Sequence, residues 1–182
     1  MVNVDRARRA SALIIALAVV SSLAACASSE EGIRLADTKG PTQLLRNDAA
    51  ARVPSDWILT LGEKGDGSVG CALDNDPDGL MRKWQSSTVL EIDSSSADDV
   101  QRISADLSES YIEEGWDEFL SQGTGSSTRT LKKDGSRTQL VITTTEDADG
   151  DGLGASIGID VLGQCVKTDG PESDEVKQLG TR

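Results

Sequence analysis

The sequence predicts an α+β domain: a mostly antiparallel sheet of about six strands, with one long helix packed on one face and a short N-terminal helix. Three observations carry this expectation. Val100, Ile103, Leu107 and Tyr111 recur at helical spacing and make one apolar stripe. Ala155, Ile157, Ile159 and Val161 alternate with Ser156, Gly158 and Asp160, the period of a half-buried strand. Two strand-like runs, 127–133 and 136–145, flank Asp134 and Gly135, a residue pair suited to a hairpin turn.

In chain order, Arg6, Arg8 and Arg9 precede an apolar run from Ala10 to Val20, and then the small residues Ser21, Ser22, Ala24 and Ala25. This is the three-part layout of a secretory signal. The run falls short of the roughly 20 apolar residues needed to span a bilayer. Leu23, Ala24, Ala25 and Cys26 resemble the lipobox of bacterial lipoproteins; Asp5 departs from the usual leader but leaves its charge positive. The resemblance implies that 1–25 is a lipoprotein signal peptide and that Cys26 carries a diacylglyceryl thioether at the new N-terminus. It also implies a lipid-anchored protein on the extracytoplasmic side of the cell membrane. Two acyl chains anchor stably where one binds reversibly.

Residues 26–40 are the lipidated cysteine and a tether without periodicity, and 41–166 form the expected globular domain. Its first element is a short helix over 41–52, with Thr42 as cap, Leu44, Leu45 and Ala49 on one face, and Pro54 ending it. Strand candidates follow at 56–61, 68–73 and 83–92, able to form a meander, with Trp84, Ser86, Thr88, Leu90 and Ile92 on one face of the third. The long helix covers about 97–114, capped by Ser94, Ser95 or Ser96, with Asp98 and Asp99 in its first turn and Gly115 at its end. Arg102, Asp106, Glu109 and Glu113 fall on its wet face. Strands are expected again at 116–120, in the 127–145 hairpin and at 153–162, and 167–182 reads as a polar tail that frays.

With Cys26 lipidated, Cys71 and Cys165 remain as an even pair in an exported protein, and a disulfide between them is expected. The competing reading, a catalytic thiol, is poor because the chain contains no histidine. The same absence removes Ser-His pairs and histidine metal sites.

The formal net charge is −13, and loss of residues 1–25 takes away three arginines and Asp5, giving −15. Such a chain is repelled by nucleic acid and by anionic headgroups, which leaves basic proteins, cationic ligands or divalent ions as partners. Gly65 to Gly70 (GDGSVG) matches a dinucleotide-loop spacing, but the residues after it continue as strand, so a glycine-rich turn is expected. Two strings, Asp74, Asp76, Asp78, Gly79 and Asp147, Asp149, Asp151, Gly152, resemble the start of an EF-hand calcium loop. Both lack its final glutamate, having Gln85 and Gly158 there, so no metal is assigned. Trp57, Trp84, Tyr111, Trp116 and Phe119 are expected in the core; a Trp-lined groove is the alternative.

The overall layout is similar to small uncharacterised lipoproteins of high-GC Gram-positive bacteria, a resemblance that implies no activity. The expectation is a monomeric, non-enzymatic interaction or structural module, without catalytic residues or cofactor, held to the membrane by Cys26 and engaging an unidentified protein partner. A small-molecule or cation-binding lipoprotein serving a transporter or sensor is the alternative.

Overall fold

Leu35 has no exposed surface, and it opens the first helix, α1 (Leu35–Arg52). The computed structural model describes residues 32–62, 65–71, 76–92, 97–123, 126–145 and 155–180. Residues 33–182 cluster as one unit. The helix therefore starts six residues before Pro41, and the expected tether 26–40 is shorter by that stretch. Its first turn is held by the Asp37 carboxylate, which accepts the Arg34 backbone N–H at 3.1 Å. Pro41 lies inside the helix, where it supplies no N–H to the ladder. At the far end Val53 is extended (φ −73°, ψ 127°), the conformation that a following proline favours.

The buried row of α1 is Leu35, Thr38, Thr42, Arg46 and Ala49. Leu44, expected on the inner face, is 72% exposed. The helix presents a largely polar face to the sheet, so its apolar pattern is a poor guide to its orientation.

After a 3₁₀ turn at Ser55–Trp57 come β1 (Ile58–Leu61), β2 (Gly65–Gly70) and the long β3 (Met81–Ile92). These do not form a meander. β1 pairs with the last part of β3 and β2 with its first part, so the two divide one edge of β3 between them. Helix α2 (Ala97–Ile112) follows. Then β4 (Asp117–Gly123), β5 (Ser126–Lys132), β6 (Gln139–Thr145) and β7 (Ala155–Leu162) make an antiparallel meander that docks on β3. The eight-stranded sheet runs β1-β3-β7-β6-β5-β4, with β2 and β8 (Val166–Lys167) also on β3.

Alternation places one face of this sheet under both long helices. Leu90, Ile142, Ile157 and Ile159 are fully buried there against Val100, Leu107 and Tyr111 of α2 and Ala49 of α1. Arg102, Asp106, Glu109 and Glu113 are exposed, as the helical period requires.

The expected fraying tail, 167–182, is instead partly ordered. Ser173 caps α3 (Asp174–Leu179), and Val176 is fully buried with Leu35, Trp84 and Val166 in a second small core. One apolar residue per turn was too weak a signal, but Val176 closes a layer that Trp84 and Leu35 would otherwise leave open. Cys71 and Cys165 lie beside this layer at disulfide-bonding distance, with Cα atoms 6.1 Å apart.

Candidate functional site

Because Pro54 stops α1, the chain turns sharply and carries Trp57 back towards α2. The result is a cleft of about 300 Å³. Pro54, Trp57, Ile103 and Leu107 supply its apolar wall, and Arg52, Arg102, Asp106 and Ser110 its polar groups. The Arg102 guanidinium sits 5.3 Å from the centre of the Trp57 ring and pairs with Asp99 at 2.8 Å.

Arg52 is held more firmly. It pairs with Asp48 at 2.9 Å and with Glu114 at 2.7 Å, donates to the Ser110 hydroxyl at 3.0 Å and lies 4.1 Å over the Tyr111 ring. The Tyr111 hydroxyl donates to Asp48 at 2.7 Å. Burial and then the bond to Asp48 push the Tyr111 hydroxyl well above its ordinary value, so it stays a donor. Ser110 donates its own proton to the Leu107 carbonyl at 2.7 Å. Its hydroxyl is committed to the clamp between the two helices. The cleft thus offers an indole face, guanidinium groups and a carboxylate with which to hold a small group by stacking and hydrogen bonds.

A second hollow of about 330 Å³ lies between α1 and β1, lined by Ala50, Val53, Ile58, Leu61 and Thr88 among others. The Thr88 hydroxyl oxygen is buried there without a partner among the described residues. A third, of about 370 Å³, lies beside the β5–β6 hairpin.

The structure separates the aromatic set. Trp84 is fully buried, Tyr111 and Trp116 pack edge to face with centroids 5.5 Å apart, and Trp57 is half-buried on the cleft. Phe119, expected in the core, is 59% exposed, because its position on β4 points it to the open face of the sheet beside Thr130. Gly65 to Gly70 form β2, a regular strand paired with β3, not a loop. In the first aspartate string, Asp76 spends both carboxylate oxygens on the backbone N–H groups of Leu80 and Met81, each at 2.8 Å. The second string, Asp147 to Gly152, and Cys26 lie outside the described residues. Arg52 and Arg102 were not foreseen; the spacing of Asp48 and Arg52, one turn apart at the end of a helix, was the available signal.

No family model, curated protein or solved structure matches the chain. The reading of its function rests on its own residues.

Proposed function

We propose that this chain is an exported lipoprotein, anchored through acyl chains on Cys26, whose domain serves as a monomeric, non-enzymatic interaction module at the extracytoplasmic face of the membrane. The observation that carries the reading is the division of labour among three cysteines. Cys26 ends a lipobox-like motif, and Cys71 and Cys165 are within bonding distance of one another. A structural disulfide belongs to an oxidising compartment, the destination the leader implies. Asp66 pairs with Arg46 of α1, and Glu118, paired with Arg129 on the next strand, accepts from Ser108 of α2; both carboxylates brace helices against strands, which supports a scaffold rather than a reaction centre.

Replacing Cys26 with alanine is expected to release the protein from the membrane fraction, and labelled palmitate is expected to enter the native chain alone. Retention of the variant in washed membranes would refute the anchor.

A second reading, small-molecule binding, is favoured by the cleft between α1 and α2. Its indole face and guanidinium groups suit a planar or anionic ligand of modest size.

A further inference from the structure

We propose that the β5–β6 hairpin is the membrane-facing surface of the domain and binds the phosphate-bearing headgroups of anionic lipids. The inference rests on the reading of Cys26 as the lipid anchor.

The hairpin carries Lys132, Lys133 and Arg137, all exposed, with Asp134 as the one acid in that stretch. None of the three cations forms an ion pair among the described residues, although most arginines of the domain do. Lys133 donates to the Glu114 carbonyl at 2.7 Å, and Asp117 lies opposite Lys132 in register without pairing with it. A concentration of free cations is out of character for a chain of formal charge −13. Phe119, 59% exposed, sits on the neighbouring strand with Lys132 5.9 Å from its ring. A cation beside an exposed aromatic ring, with two more on the same hairpin, is a composition suited to a surface that meets lipid headgroups.

The topology puts this patch at the end of the sheet where the chain enters the domain. Asp117, Lys132, Gln139, Leu162 and Gln85 form one continuous cross-strand row. Gly163, just after it, lines the hollow beside the hairpin and also abuts the first turn of α1, where a Cβ would come within 3.1 Å of Thr38. The start of α1 and the cationic hairpin therefore share one end of the sheet. Thr145 and Ser156, paired in register, lie at the other end of β6 and β7.

Asp117 and Asp134, beside the three cations, weaken the attraction, while carboxylates more than about 10 Å from a headgroup are largely screened at physiological salt. Net repulsion acts as a selector: of all the faces a tethered acidic domain could turn to an anionic bilayer, a locally cationic one is admitted. Each cation at such a surface contributes about fivefold, and with Asp117 and Asp134 set against the three cations the net preference is about fivefold.

The test uses the lipidated chain reconstituted into phosphatidylcholine vesicles, with and without phosphatidylglycerol, followed by hydrogen exchange. Exchange over 132–138 is expected to slow when phosphatidylglycerol is present, to return at about 1 M salt, where the screening length is ~3 Å, and to be lost in K132E/K133E/R137E. Exchange at Thr144, Thr145, Ser156 and Ile157, at the far end of β6 and β7, should not change. Equal exchange in both vesicles, or slowing that survives the triple substitution, would overturn the proposal. So would equal slowing by inorganic phosphate in phosphatidylcholine alone, which would make the hollow a site for soluble phosphate. The salt and lipid arms need no variant, so a folding defect in the triple mutant leaves the result readable. If the anchor reading itself fails, the chain does not stay on vesicles of either composition, an outcome distinct from an unprotected hairpin on a bound chain.

Discussion

The Arg46 guanidinium lies 2.9 Å from the Asp66 carboxylate and ties the middle of α1 to β2 beneath a helix whose inner face is largely polar. Gln43 donates to the same carboxylate at 3.1 Å, and Thr42 shares a hydrogen bond with Ser86 at 3.1 Å. Arg46 has only 5% of its side chain exposed, against 28% for Asp66. Replacing Arg46 with methionine leaves a half-buried carboxylate without its counter-ion. Removing one partner of a fully buried pair costs about 3–5 kcal/mol, and the partial exposure of Asp66 lowers the expected loss to about 2–3 kcal/mol. Adding Asp66→Asn to that variant should recover part of the loss, because the uncompensated charge goes. Urea denaturation of the two variants checks both steps, and an unchanged midpoint for Arg46→Met would show that the pair contributes nothing.

The same pair and its counterpart under α2 set the response to acid. Burial by itself would raise the Asp66 carboxyl, but hydrogen bonds from Ser86, Gln43 and Arg46 outweigh it and hold the group below its ordinary value. Glu118 behaves alike: burial raises it, while bonds from Ser108 and Arg129 lower it further than burial lifts it. Carboxyls depressed in the folded state bind protons more readily when unfolded. Their stabilisation is complete above the ordinary carboxylate range of about pH 4 to 5 and is lost as pH falls through the lower, folded-state values. Stability measured from pH 6 down to pH 2 should therefore fall, and fall less steeply in Asp66→Asn/Glu118→Gln. Parallel curves for the two proteins would contradict the assignment.

Elements with an apolar period were legible in the sequence, and those that bury polar groups were not. The stripe from Val100 to Tyr111 and the alternation from Ala155 to Val161 made α2 and β7 closely legible, because one buries hydrocarbon at every third or fourth position and the other at every second. The first turns of α1 were missed because Thr38 faces the sheet there, as Thr42 and Arg46 do further on, and residues of these types read as solvent-exposed in isolation. Val176 was missed for the opposite reason: its partners Leu35 and Trp84 lie far away in the chain, and no local period announces them. The cleft depends on the same kind of information, since Trp57 and Arg102 meet only through the turn after α1.

Cys71 and Cys165 are separated by 94 residues, and they sit where the second small core joins β3 and the C-terminal segment. Cross-linking a loop of that size removes unfolded-state entropy equivalent to about 4 to 5 kcal/mol in the chain-entropy model. Cys71→Ala/Cys165→Ala should lower stability by about that amount or somewhat less. Protease cleavage should appear first near Val176, while the sheet under α2 stays protected. Non-reducing peptide mass spectrometry of exported protein should recover the two cysteines as one linked species. Two free thiols would refute the bond, and uniform loss of protection would refute its local role.

Trp57 is the tryptophan that solvent can reach, since Trp84 is fully buried and Trp116 is 9% exposed. Acrylamide should accordingly quench one component of the emission and leave the remainder shielded. In Trp57→Leu that accessible component should vanish, and the cost in stability should stay near the ~1 kcal/mol of an ordinary substitution, since leucine keeps much of the apolar contact. Removing the guanidinium above the ring with Arg102→Ala should make the native indole easier to quench, because that group covers the face at 5.3 Å. The pair of variants separates two accounts of the cleft. If Trp57→Leu leaves the quenching curve unchanged, the accessible emission comes from elsewhere and the cleft is closed in solution. If quenching falls with Trp57→Leu and rises with Arg102→Ala, the indole face is open, and Arg102 occupies the position that a planar ligand or a partner's cationic side chain would take.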